Sequence, residues 1–361
     1  MPERAALRAR AADLRALFEG EKAQVVETSI LQPADTLLDL YGEDIRARAY
    51  VTSDALRGEQ MLRPDFTVPV VQMHMKYGAE PARYTYAGEV FRRQEDDAER
   101  PNEYLQVGYE VFDRDNPIES DAEVFTVIRK ALGDVPLRAA TGDIGILMAA
   151  VDGLDTTPAR KAALRRHIWH PRRFRALIDR YAGRTPVPVA RQALLATDDP
   201  FKRGVPEIGL RSRAEIEARI GALRADAATA PLSEREVALL DAILSVRESL
   251  PNALERLRDI AVDLPAVEPA VERLAKRMRA LQRHGVDVDT LDFEASYGRT
   301  SLEYYDGFVF GFYEAERPDL PPVAAGGRYD ALTRVLGQGA EIPAVGGVIR
   351  PDRLIEVGAG Q

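Results

Sequence analysis

The sequence predicts an α+β fold: an antiparallel sheet with flanking helices, interrupted by a helical insertion. Strand-rich segments lie at both ends of the chain and are separated by hairpin-length loops, which favours antiparallel pairing. A long stretch of helical periodicity lies between them. Polar residues inside one apolar run, residues 103–112, mark where a ligand or an internal partner must satisfy buried groups.

The chain has 361 residues and a formal net charge of −9, long enough for two domains or one domain with an insertion. Hydrophobic content of 45% and charged content of 30% are ordinary for a globular protein. No apolar run reaches membrane-spanning length, and residues 1–20 read as an amphipathic helix ended by Gly20, not a signal peptide. Zero cysteines exclude disulfides, thiolate metal sites and a cysteine nucleophile. A cytoplasmic location is expected, with no membrane partner. Of 49 basic residues only six are lysine, so an arginine carries weight only where its position argues for it. The acidic balance disfavours binding to a phosphate backbone. One segment, residues 160–184, is locally basic, and reads either as a solvated or protein-facing helix face or as a nucleic-acid patch.

In order along the chain, ARAYVTS, MLRPDFTVPVVQMHM, ARYTYAGEVFRR and EYLQVGYEVF are strand-rich runs between residues 33 and 136. SDAEVFTVIRKALG predicts a helix over 120–133, with Ser120 as cap, Glu123 completing a capping box and Gly133 after the end. After residue 143 the pattern turns helical. SEREVALLDAILSVRESL carries a capping box at Ser233 and Glu236, and PAVEPAVERLAKRMRALQRHG stops at Gly285. Strand patterns resume in LDFEAS, LEYYDGFVFGFYEA and PPVAAGG. The implied organisation is a core formed by residues 1–142 and 287–361 around a helical insertion, 143–286.

Strand side chains alternate. In EYLQVGYEVF, Leu105, Val107, Tyr109 and Val111 share one face, and Tyr104, Gln106, Gly108, Glu110 and Phe112 the other. The second face has the form of a polar pocket floor. Gly88, Val90 and Arg92 share a face of the preceding strand, so Arg92 can reach an anion above the sheet or pair internally with Glu110. Asp65 and Thr67 share a face if LRPDFT is a strand. Tyr304 and Tyr305 would point to opposite faces. Gly326 and Gly327, before Arg328, Tyr329 and Asp330, suggest a tight turn lining a cleft.

Together these segments resemble the catalytic core of histidyl-tRNA synthetase, a class II aminoacyl-tRNA synthetase. LRPDFT is similar to that family's LRPEGT segment, and EVFRRQ with RPNEYLQVGYEVF to its second signature motif. SLEYYDGFVF resembles the histidine-specific GLDYYxxTVF, AAGGRYDAL matches AGGRYDxL, and GGVIRPDRLIEV resembles the third motif. The likeness covers about residues 25–140 and 287–361. It implies a class II synthetase-like sheet in which Asp65, Thr67 and Gln106 hold a histidine α-amino group. Glu110 and Tyr305 would read the imidazole, and Tyr329 would help close the pocket. It places Arg92, Arg100 and Arg353 where the family meets ATP phosphates and adenine.

Two departures redirect the expectation. Thr300 stands where the family's RGLDYY segment carries the arginine that faces the reacting carboxylate and α-phosphate. Loss of such a group typically costs about a thousandfold in rate. The sequence also stops at Gln361, without an anticodon-binding domain. A core with these features resembles the regulatory subunits of ATP phosphoribosyltransferase, which partner a short-form catalytic subunit in the first step of histidine biosynthesis and take part in feedback inhibition by histidine. The resemblance implies a chain that is not an enzyme on its own, that has no cofactor and binds no tRNA, and that forms a homodimer within a hetero-oligomer, pairing through about residues 33–65. The rivals are a truncated synthetase or other amino-acid-activating ligase that uses Arg299, and a scaffold with a vestigial pocket. His167 and His170 share one helix face without a recognisable third metal ligand, so no metal site is assigned; His74 and His284 are isolated.

Overall fold

In a computed structural model the chain is described over residues 3–35, 48–94, 100–201, 209–299, 304–317 and 320–359. A nine-stranded sheet forms its centre, in the order β1-β5-β6-β12-β11-β10-β7-β9-β8. The strands are β1 (Gln24–Val25), β5 (Ala82–Phe91), β6 (Glu103–Phe112), β7 (Leu137–Asp143), β8 (Arg247–Ser249), β9 (Asp292–Glu294), β10 (Phe308–Glu314), β11 (Ala324–Arg328) and β12 (Ala344–Ile349). Every neighbouring pair is antiparallel except β1 with β5 and β7 with β9. A separate three-stranded sheet joins β2 (Leu31–Pro33), β4 (Gly58–Leu62) and β3 (Val51–Asp54).

Helix α1 (Arg4–Gly20) buries Ala11, Leu14 and Phe18, one stripe at helical spacing, and Phe18 lies 5.4 Å from the Tyr109 ring. The Tyr109 face of β6 is thus the core face. Helix α3 (Pro117–Leu132) covers the sheet with Val124, Phe125 and Ile128. The chain from residue 144 to 283 forms α4 (Ile144–Gly153), α5 (Pro158–Arg166), α6 (Pro171–Tyr181), α7 (Val189–Ala196), α8 (Arg213–Ala228), α9 (Glu234–Leu244), α10 (Leu250–Asp263) and α11 (Glu268–Arg283). Helix α11 packs against α3 and ends before Gly285, whose φ of +77° suits glycine.

Four local readings are corrected. MLRPDFTVPVVQMHM is not one strand: β4 ends at Leu62 and helix α2 runs Thr67–Tyr77. Pro69 fits its first turn, where no backbone N–H is needed, and burial of Val68, Val70 and Val71 outweighs their strand preference. The helix expected from Ser120 starts at Pro117. Ser120 donates to the Asn116 carbonyl inside it, and Glu123 accepts from Arg83 and Tyr109 instead of capping. The Ser233–Glu236 capping box forms, but its helix stops at Leu244, and residues 247–249 pair with β9 as the sheet's last strand. Gly326 and Gly327 lie within β11, not in a turn.

A buried ion network ties the sheet to the helices. Arg277 of α11 donates to Asp121 of α3 and to Asp143 before α4, both at 2.7 Å. Arg328, at the end of β11, donates to the same Asp121 and to Asp330. Asp330 opens α12 (Asp330–Leu336), whose first N–H groups donate to Asp306. Removing one partner of a buried pair leaves an uncompensated charge, so Arg277→Ala should destabilise the fold by about 3–5 kcal/mol. Urea unfolding checks this, with Arg279→Ala on the exposed face of the same helix as the near-neutral control.

Candidate functional site

Glu110 sits in the middle of the sheet on β6, only 1% exposed. No arginine reaches it among the described residues; three hydroxyls do. Its Oε1 accepts from Thr67 at 3.2 Å and Tyr86 at 2.8 Å, and its Oε2 from Tyr329 at 2.6 Å. Burial raises its pKa to about 7, against the three hydroxyl hydrogen bonds that lower it, with Asp65 adding a smaller upward push. Burial likewise holds the Tyr86 and Tyr329 phenols well above their ordinary pKa, so both donate. A carboxylate offers about four lone-pair directions, so three hydroxyls leave capacity for one further donor.

Glycines clear the space for this arrangement. Gly108 faces Tyr86 across the β5–β6 ladder, and a Cβ there would lie 2.1 Å from the Tyr86 ring. The missing side chain thus accommodates a tyrosine. Gly346 of β12 pairs with Glu110, and its Cβ would lie 1.4 Å from Oε2. Gly327 leaves room for the Tyr305 ring.

The expected residues converge. Asp65 and Thr67 flank the start of α2, and both are buried. Asp65 accepts from the Tyr304 hydroxyl at 3.4 Å, and the Arg92 Nη2 lies 4.0 Å away. Gln106 shares the strand face of Glu110 and is 3% exposed; its Oε1 has no hydrogen-bond partner. Tyr305 is buried beside Tyr304, with ring centroids 4.9 Å apart, and both Glu110 and Asp65 push its phenol pKa further up after burial. Both tyrosines therefore face this site. They precede β10, so strand alternation does not divide them. Tyr329 follows β11 and closes against Tyr304 at 6.0 Å.

The expected anion-facing arginines are engaged by the protein. Arg92 donates Nε to the Pro64 carbonyl at 2.6 Å, and the alternative Arg92–Glu110 pair does not form. Arg353, on helix α13 (Pro351–Ala359), pairs with Glu314 and Glu356. Arg100 is half-buried at the start of the β6 approach. Thr300 lies outside the described residues. Arg299 is in a turn, not a strand, and donates to the Ile168 carbonyl at 2.8 Å with its guanidinium over Phe174. His167 and His170 have ring centroids 5.9 Å apart, and no group of three or more potential metal ligands occurs among the described residues. No described helix is long and apolar enough to cross a membrane.

Tyr86, Tyr304 and Gly346 are functional candidates that sequence reasoning missed. The signal for Tyr86 was present: a two-strand register places it opposite Gly108. Gly346 needed the β6–β12 pairing, which joins residues more than 230 positions apart.

Gly346→Ala should displace the Glu110 carboxylate and abolish any ligand binding that depends on it, with calorimetry as the measure. A pH effect follows as well. Burial raises Glu110 and Asp306 to about 7, from ordinary values of 4.5 and 3.8. The folded state then keeps protons that the unfolded chain has released, so stability falls as pH rises from about 4 to 7. Each group contributes up to about 1.4 kcal/mol per pH unit. Glu110→Gln should flatten this slope in urea unfolding measured across that window.

A sequence profile described as histidyl-tRNA synthetase matches residues 1–197 and 213–354. The ATP phosphoribosyltransferase regulatory subunits of Brucella canis and Brucella suis are each 31% identical over 370 residues, covering 94% of this chain and 95% of theirs. A Bacillus halodurans crystal structure described as an ATP phosphoribosyltransferase regulatory subunit/histidyl-tRNA synthetase superposes with a TM-score of 0.69 at 21% identity, covering 99% of this chain and 80% of that one. The histidyl-tRNA synthetase of Nostoc sp. PCC 7120 gives 0.65 at 16% identity, covering 99% and 73%. The fold is thus class II aminoacyl-tRNA synthetase-like, and the chain belongs to the histidyl-tRNA synthetase family and, within it, to the ATP phosphoribosyltransferase regulatory subunits.

Proposed function

We propose that this chain is the non-catalytic regulatory subunit of ATP phosphoribosyltransferase. It acts with a short-form catalytic subunit in the first step of histidine biosynthesis, and histidine bound in the Glu110 pocket is its feedback effector. The observation that carries the reading is a pocket with an unused buried acceptor, Gln106 Oε1, beside the hydroxyl-ringed Glu110. Histidine fits that chemistry. Its α-ammonium would meet Asp65, Thr67 and Gln106, and an imidazole N–H would take the remaining lone pair of Glu110, with Tyr305 beside it. A ligand without that N–H would leave the buried carboxylate underused, which is how such a site discriminates.

Support for a non-catalytic role comes from the cations. Arg353 is held by two carboxylates and Arg92 by a backbone carbonyl, so a nucleotide would have to break internal contacts to use them. Arg299 is turned to Ile168 and Phe174, away from the role of a substitute for the arginine missing at Thr300. The chemistry then belongs to the partner, and this chain supplies binding and coupling.

Histidine can regulate only by favouring one assembly state; a difference of about 1–3 kcal/mol gives a 5- to 150-fold effect. Tyr329 adjoins Arg328, so pressure on the pocket bears directly on the Asp121–Arg277 network and on residues 323–330. A homodimer of this chain inside a hetero-oligomer with the catalytic subunit is part of the proposal.

Co-expression with a short-form catalytic subunit, followed by native mass measurement and assay with and without histidine, tests it. The expected result is a stable complex, active only when both chains are present and inhibited by histidine. Glu110→Gln should keep the complex but weaken histidine binding at least about tenfold by calorimetry. Histidine-dependent ATP–pyrophosphate exchange by the purified chain would overturn the proposal in favour of an activating ligase.

A further inference from the structure

Most arginines of the basic segment 160–184 are neutralised inside the chain. Arg160 and Arg180 pair with Asp226, Arg165 with Asp152, Arg175 with Asp179 and Asp241, and Arg184 with Asp179 and Glu234. The exceptions among the described contacts, Arg166, Arg172 and Arg173, gather where α5 turns into α6. His167 lies among them: burial first, then the charges of His170, Arg173 and Arg166, hold its pKa below the usual imidazole value. Its Nδ1 is buried without a hydrogen-bond partner.

Arg299 enters this corner from the sheet side. Its Nε donates to the Ile168 carbonyl, and its guanidinium lies 4.9 Å above the ring of Phe174, in the first turns of α6. Arg299 is 5% exposed, and its Nη2 has no hydrogen-bond partner. Burial alone acts on its charge, pulling its pKa down to about 10. Other buried arginines are matched. Arg277 and Arg328 each have two carboxylates, Arg160 has Asp226, and Arg353 has Glu314 and Glu356. Arg63 spends its donors on the carbonyls of Glu89 and Thr28. Arg299 stays protonated at neutral pH, and an unmatched buried charge is costly. Helix α6 adds its positive end to the same corner: it begins with Pro171, has no acidic residue in its first turn, and His170 makes no side-chain cap.

We propose that Arg299 and the α5–α6 corner form a binding site for a small phosphate-type oxyanion, separate from the amino-acid pocket. A guanidinium fork and a helix amino end both match the oxygens of phosphate. Arg299 is engaged by the Ile168 carbonyl and the Phe174 ring, whereas Glu110 is ringed by Thr67, Tyr86 and Tyr329, so the two sites are built from different side chains. The −9 net charge and the neutralised helix faces argue for a small ion over a nucleic-acid backbone.

Trp169 is the chain's single tryptophan and lies in this corner, its Nε1 donating to the Tyr305 carbonyl at 3.3 Å. Its emission therefore reports the site. The full chain is titrated with inorganic phosphate, pyrophosphate and AMP at constant ionic strength, following Trp169 fluorescence and the melting temperature. The expected result is a saturable change with at least one of them and a rise in Tm; whether the free ions or the ester saturate identifies the source. Arg299→Met should bind at least about tenfold more weakly and lose the anion-dependent rise in Tm. Arg299→Lys, which keeps the charge but not the fork, should fall between, and serves if the methionine variant does not fold. Glu110→Gln should titrate with phosphate as the wild type does, which separates failure here from failure of the histidine reading. A response that never saturates, an equal response in wild type and both Arg299 variants, or binding of an RNA oligonucleotide without binding of phosphate would overturn the proposal.

Discussion

A carboxylate buried without a cation is the constraint around which this sheet is built. Glu110 must be satisfied by neutral donors, and the protein supplies Thr67, Tyr86 and Tyr329 from three different elements. Two of these groups need a clearing. Gly108 admits the Tyr86 ring, and Gly346 admits the carboxylate itself. The glycines, the aromatic residues and the helix that starts at Thr67 are therefore one device. The result is an acid balanced near neutrality, sensitive to the charge and hydrogen-bonding capacity of whatever lies beside it.

The opposite electrostatic solution holds the sheet to its helices. Asp121 sits between Arg277 and Arg328, and Asp143 and Asp330 close the ends. Such a network needs its members in one geometry to be worth its desolvation, so it fixes the placement of β11 relative to α3 and α11. Tyr329 follows Arg328 directly. The polar pocket and the ionic network thus meet at adjacent residues of one chain segment.

Much of this was legible in the residues. Alternation in EYLQVGYEVF sorted the core face from the polar face, and both orders hold: Tyr109 packs on Phe18, and Glu110 meets the hydroxyls. The capping box at Ser233 and the stop at Gly285 were also readable, because their signals are local. What failed depended on tertiary context. Thr67 was read on a strand because Val68, Val70 and Val71 favour one, yet burial made them a helix face. Gly108 was placed on the pocket floor without the Tyr86 ring that covers it, because the partner strand's register was left out. Tyr304 and Tyr305 were read as pointing to opposite faces because strand alternation was applied to them, yet the strand begins only at Phe308.

Strand β8 arises within the helical span yet forms the outer border of the main sheet, hydrogen-bonded to β9. The helical segment is consequently stitched into the core's backbone ladder. Excising it at its apparent boundaries would expose the unpaired edge of β9, an adhesive surface that invites pairing with other chains. Whatever replaced the helices that precede β8 would still have to return a few residues of chain to seal that rim.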